Sequence, residues 1–196
     1  MKLQTASTFI LLLLFAFGCQ KEIIQPEIAP APELSTGSLE GLVRPDAPCG
    51  LGQTSDLVDI ATANYGALEI LNDANDIYFL AEMNHGWLIQ SAQVYVGDLL
   101  NLPKDNNGGI RPEGFPYQWV NSRLASSYTY TIPKGGVAAC TQVVIVIQAV
   151  QTDLWGNPIN SIQLWGDGNA VLNGYAASYC QGVCGLTQAT SDAAVY

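Results

Sequence analysis

The chain is poor in basic residues, in histidine and in charge of either sign. Seven Lys and Arg stand against seventeen Asp and Glu in 196 residues, and charged residues make up only 12%. Nucleic-acid binding needs clustered cations to neutralise phosphates, so that class of function is excluded. The net charge of −10 argues equally against adsorption of the folded part to anionic lipid. The single histidine, His85, lies in the turn Asn84-His85-Gly86. A Ser-His-Asp triad would have to pass through it, and no Gly-x-Ser-x-Gly elbow accompanies it. His85 therefore reads as a solvated turn residue. No apolar run approaches the roughly 20 residues that a membrane-crossing helix needs, and no long segment carries a 3.6-residue apolar period.

The longest apolar run, residues 9–17, follows a short basic start at Lys2 and stops at Gly18-Cys19. Its length suits the core of a signal peptide. The segment Ala16-Phe17-Gly18-Cys19 resembles the lipobox of bacterial lipoproteins. That resemblance implies cleavage before Cys19, thioether lipidation and N-acylation of Cys19, and stable anchoring in the bacterial outer membrane through several acyl chains. Gln20-Lys21-Glu22 is similar to the Lys/acidic runs that follow the cysteine in surface-exported lipoproteins of Bacteroidetes-type bacteria. Pro26, Pro30 and Pro32 then favour an extended polyproline-II spacer. The expected organisation is a signal peptide at 1–18, a lipidated cysteine and Pro-rich tether at 19–45, and one domain at 46–196.

Four further cysteines, Cys49, Cys140, Cys180 and Cys184, form an even set in an exported chain, which implies two disulfides. Three pairings are open, and the one favoured ties Cys49 to the C-terminal pair. A zinc site at Cys180-x-x-x-Cys184 lacks further Cys or His nearby, so no metal is assigned. Asp73-Ala74-Asn75-Asp76, Asp105-Asn106-Asn107 and Asp167-Gly168-Asn169 offer oxygen ligands of the kind calcium takes. Turn chemistry accounts for the same residues, and no cofactor is expected.

Short strands separated by Gly, Pro and Asn dominate the rest. The pattern predicts strands at 67–71, 77–83, 87–96, 126–132, 141–150 and 160–165, with a long loop at 101–118. The segment 141–150 is apolar at nearly every position, as for a central strand buried on both faces. The fold class expected is all-β: an antiparallel β-sandwich, jelly-roll-like in its closest form.

An ordered set of motifs carries a second resemblance: Gly86-Trp87-Leu88, Val94-Tyr95-Val96-Gly97-Asp98, Gly114-Phe115-Pro116-Tyr117, Tyr128-Thr129-Tyr130-Thr131-Ile132-Pro133, Cys140, and Trp165-Gly166-Asp167-Gly168. Together they resemble a β module of secreted and surface proteins in Bacteroidetes-type bacteria. The resemblance implies a sandwich domain and no particular activity. A cysteine often follows the Val-Gly-Asp step in such relatives. Leu99 stands there in this chain, which leaves the partner of Cys140 open.

Paired carboxylates for glycoside hydrolysis would have to come from Glu82, Asp98, Glu113 and Asp167, all at strand ends or turns where acids commonly accept backbone hydrogen bonds. Aromatic residues give the better hint. Trp87 and Trp165 flank glycines at strand ends, Tyr117 and Trp119 fall at the end of the long loop, and Trp155 lies in a turn. Exposed rings of this kind stack on sugars or anchor a protein partner. Tyr117, Trp119, Trp87 and Trp165 are the candidate ligand contacts. The expected function is a lipid-anchored cell-envelope binding or adhesion module without catalysis, its ligand a glycan or an envelope protein. The alternatives are an accessory structural subunit of an outer-membrane complex and a polysaccharide or peptide hydrolase.

Overall fold

The computed structural model describes residues 37–184. The signal segment, Cys19 and most of the Pro-rich stretch lie outside the described residues. Eleven strands follow in chain order: β1 Ser38–Glu40, β2 Gln53–Val58, β3 Asn64–Asn72, β4 Asp76–Met83, β5 Leu88–Gly97, β6 Tyr117–Ala125, β7 Ser127–Pro133, β8 Cys140–Thr152, β9 Pro158–Gly166, β10 Asn169–Val171 and β11 Gly174–Cys180. Among the described residues helical geometry is confined to two single 3₁₀ turns, Leu99–Asn101 and Pro112–Gly114. The all-β, antiparallel class is as expected. The two separate sheets of a sandwich are not what the hydrogen bonds draw. The strands join in one path, β6-β5-β8-β9-β2-β3-β4-β7-β1, with the β10–β11 hairpin attached to β8.

The path nearly closes on itself. Its two ends meet through side chains: Asn121 Nδ2 of β6 donates to the Tyr130 hydroxyl of β7 at 2.9 Å, and Arg123 of β6 pairs with Glu40 of β1 at 3.3 Å. Near-closure protects most strand edges, the usual hazard of a β protein.

β8 organises the sheet because it is long. One edge pairs with β5 along its length, and the other is shared by β11 at residues 140–143 and β9 at residues 146–152. Its alternate residues Val143, Ile145, Ile147 and Ala149 face the main core with Leu57, Leu68, Phe79, Ile89, Trp119, Tyr130 and Leu164. Val144 and Val146 face a second cluster with Tyr95, Leu102, Ile110, Phe115, Trp165 and Ala176. The strand is thus buried on both faces, which is why its sequence reads as a continuous apolar run rather than an alternation.

The cover over the second face is the 98–116 connection. It is ordered by the Lys104–Ile110 bridge, by Asp105 Oδ1 accepting from the Asn107 and Gly109 amides, and by the Ile110 amide donating to Asn173 Oδ1 at 2.7 Å. Phe115 is fully buried by this arrangement, a contribution of about 2–3 kcal/mol at the usual cost of exposing such a side chain.

Packing begins ahead of residue 46. β1 pairs with β7, the Val43 amide donates to Thr129 Oγ1 at 2.8 Å, and Arg44 Nη1 reaches Glu69 Oε1 at 2.7 Å. Residues 38–44, read as tether from their place after the prolines, belong to the fold because they strap the outer face of β7, β4 and β3. Cys49 is bonded to Cys184 across 135 residues, and Cys140 to Cys180 across 40. The first is the favoured long closure, and in the chain-entropy picture it stabilises by about 5 kcal/mol. The second joins residues already opposite each other in the β8–β11 ladder.

Candidate functional site

The side chains singled out from sequence do not assemble into one face. Trp119 is buried, 2% exposed, in the middle of the core. Its ring centroid lies 4.9 Å from that of Tyr130. Trp165 is buried as well, held between Val58 of β2 and Val146 of β8. Both were placed as candidate contacts because they stand beside a loop or a glycine. The sheet partners that enclose them, Ala92 opposite Trp119 and Val146 opposite Trp165, come from distant parts of the chain.

Trp87 is half-buried and meets Tyr65 edge-on at 5.7 Å, closing the core beneath the β4–β5 turn. Tyr117 is half-buried, stacked on Trp119 at 6.5 Å. It lines a shallow groove of about 600 Å³ beside Cys140, together with Val96, Asp98, Thr141, Gln142 and Ser178.

The candidate acids are likewise dispersed. Glu82 is on the exposed side of β4, Glu113 is in the second 3₁₀ turn, Asp98 Oδ1 caps the first 3₁₀ turn through the Leu100 amide, and Asp167 Oδ1 accepts from the Gly168 amide. His85 is exposed at φ 57° in the turn between β4 and β5. Among the described residues no group of three or more His, Cys, Asp or Glu is placed to hold a metal ion.

The feature that stands out is the hairpin of β8 and β9. β2 pairs with β9 only at Trp165 and Gly166, so the rest of β9 is a sheet edge beyond β2, and past Val150, the last β8 residue paired with β5, the two strands run on as a short hairpin. At its tip Leu154 is 98% exposed and Trp155 84% exposed. The turn beneath them is rigidly built. The Asp153 amide donates to the Asn157 carbonyl at 2.9 Å and the Gly156 amide returns to Asp153 O at 3.0 Å. Asp153 Oδ1 accepts from the Trp155 and Asn157 amides at 2.8 and 2.9 Å, and Asn157 Nδ2 donates to Asp153 Oδ2 at 3.0 Å. The Asn157 side-chain amide and then its main-chain N–H, with those of Trp155 and Gly156, hold the Asp153 carboxyl below its ordinary value. Uncharged amides line the two strands: Asn160 Nδ2 donates to Gln151 Oε1 at 2.9 Å and Gln148 Nε2 to Gln163 Oε1 at 3.2 Å.

Two neighbouring large apolar residues in the centre of an Asp-x-x-Gly turn have no inward face to turn to. That is the sequence signal that could have ranked Trp155 above the other tryptophans. Fold and site together define an all-β, disulfide-closed protein with one projecting apolar hairpin tip. No protein-family model, no curated protein and no solved structure matches the chain.

Proposed function

We propose that this chain is a lipid-anchored binding module of the bacterial cell envelope, without catalysis, which docks on an envelope protein through Leu154 and Trp155. The observation that carries the reading is the near-complete exposure of both side chains on a turn that five hydrogen bonds hold in one shape. An exposed Trp on a pre-organised support is the kind of residue that dominates protein interfaces, because little ordering entropy opposes its insertion. A glycan site would be supported by coplanar aromatics on a concave face. Here Trp119 and Trp165 are buried and the tip is convex, which favours insertion into a pocket of a protein partner.

The lipobox-like Ala16-Phe17-Gly18-Cys19 and the prolines that follow support anchoring at the outer membrane through Cys19. Capture from intact envelopes tests both parts. Cys19→Ser is expected to abolish incorporation of labelled palmitate. Trp155→Ala is expected to lose a partner that the parent chain retains, with its melting temperature unchanged. Equal retention by Trp155→Ala would overturn the docking site.

A further inference from the structure

The same hairpin carries a second recognition element, the free edge of β9. One edge of β9 is taken by β8 between Pro158 and Trp165, while on the other only Trp165 and Gly166 have a partner, in β2. From Ile159 to Gln163 alternate main-chain N–H and C=O groups face outward with no strand beside them. Proteins blunt such edges with lysines, prolines, inward-pointing charges or bulges. Ile159-Asn160-Ser161-Ile162-Gln163-Leu164 contains no charged residue, and Pro158 stands only at its start. The strand is also exposed: Ile159 is 60% accessible, and Asn160, Ser161 and Gln163 are open to solvent.

We propose that this edge is a strand-addition site, and that its occupant is an extended segment of the partner protein, with an uncharged centre and basic residues at its ends. This deepens the reading of the hairpin as a partner contact and rests on it. The charge preference follows from what flanks the edge. Asp153 stands at the tip end. Asp59 stands at the other, directly after Val58, the residue paired with Trp165. The rest of the chain is acidic, so a strand with cationic ends is drawn in while an anionic one is repelled.

Main-chain hydrogen bonds to the edge would supply affinity, and Ile159 on one side with Ile162 on the other would select the alternating side chains. A second copy of this chain is the poorer occupant. It brings the same acidic ends, and its own β8–β9 turn would run into β2 where Val58 already pairs with Trp165.

The test uses the full chain in detergent and a synthetic capped peptide, Lys-Thr-Val-Thr-Val-Thr-Lys, read by amide hydrogen exchange and by fluorescence anisotropy. Bound peptide is expected to slow exchange at residues 159–164 selectively. Methylation of alternate peptide nitrogens should abolish binding, and replacing both terminal lysines by glutamate should weaken it at least tenfold. Asp59→Asn with Asp153→Asn keeps the side-chain oxygens that accept the turn amides and removes both charges, so it should weaken the lysine-ended peptide and spare the fold.

No protection at millimolar peptide, or equal binding of the N-methylated form, would overturn the proposal. So would self-association of the chain that protects residues 159–164 without peptide. Trp155→Ala capture from envelopes is read independently. A failed peptide with Trp155-dependent capture intact removes only the edge, whereas capture unaffected by Trp155→Ala removes the underlying reading.

Discussion

The Tyr179 hydroxyl donates to Asn72 Oδ1 at 2.8 Å, inside the protein and across 107 residues of sequence. The same Asn72 oxygen accepts the Gly182 amide at 2.8 Å, and the Cys49 amide donates to the Asn72 carbonyl at 2.6 Å. One fully buried amide side chain thus ties the end of β3 to the end of β11, beside the Cys49–Cys184 disulfide. Burial alone pushes the Tyr179 hydroxyl up to about 12.

Removing this tie should be expensive, because each buried group left unpaired costs about 1–3 kcal/mol. Asn72→Ala is expected to destabilise by about 2–4 kcal/mol, and Tyr179→Phe by about 1–2 kcal/mol, since the Gly182 amide still satisfies the oxygen. Urea midpoints of the two variants and their double mutant measure the coupling. Additivity within a few tenths of a kcal/mol would show that the tyrosine and asparagine do not act together.

Three turns share one design, and one of them departs from it. Asp59, Asp105 and Asp153 each accept two main-chain amides, at the second and fourth residues beyond, through Oδ1. Three residues on, the chain is left-handed: Gly108 and Gly156 at φ 84°, but Thr62 at φ 66°. A β-branched residue is strained there by about 1–2 kcal/mol, and glycine returns part of that as unfolded-state entropy. Thr62→Gly is therefore expected to stabilise by about 0.5–1 kcal/mol, read as a rise in melting temperature. Gly156→Thr should do the reverse. A loss of stability in Thr62→Gly would show that the threonine is held by something other than turn geometry.

The Asp73–Tyr78 pair sets a pH dependence at both extremes. Burial pushes the Asp73 carboxyl up, but the Asp76 and Asn75 amides, the Tyr78 hydroxyl at 2.7 Å and the Lys134 charge outweigh it, leaving the group below its ordinary value. A depressed carboxyl contributes stability that is present above about pH 4 and is lost as pH falls through the folded value. Tyr78 is raised to about 12, first by burial and then by Asp73, so its contribution is present below about pH 10 and is lost between there and about 12. Tyr78→Phe is expected to move the acid limb of the stability curve upward and to remove one late phenolate transition at 295 nm. An acid limb unchanged in Tyr78→Phe would contradict the pairing.

How much of this was legible follows from where each residue finds its partners. β8 announced itself, because burial on both faces leaves a run of apolar residues that needs no knowledge of the neighbours. The even cysteine count implied two disulfides but left three pairings open, the long closure from Cys49 to the C-terminal pair being the favoured one. β6 was not, since Tyr117-Gln118-Trp119-Val120-Asn121 has no clean alternation. It is half exposed, with one edge paired to β5 and the other closing the sheet through side chains. β11 hid in small residues, Gly174, Ala176 and Ala177, which pack closely but signal little. Trp119 and Trp165 were misplaced for the same reason: a tryptophan beside a loop looks free until the distant strand that covers it is known. Trp155 is the converse, a residue whose own turn leaves it nowhere to be buried.

Docking through the hairpin tip is the central claim, and site-specific photo-crosslinking tests it most directly. A photoreactive phenylalanine analogue is placed at residue 155 in one chain and at Leu100 in another. Leu100 is an equally exposed apolar position, 83% accessible, in the 3₁₀ turn between β5 and β6. Irradiation of intact envelopes is expected to give one discrete adduct with another envelope protein from residue 155 and none from residue 100. No adduct from residue 155, or the same adducts from both positions, would contradict the account.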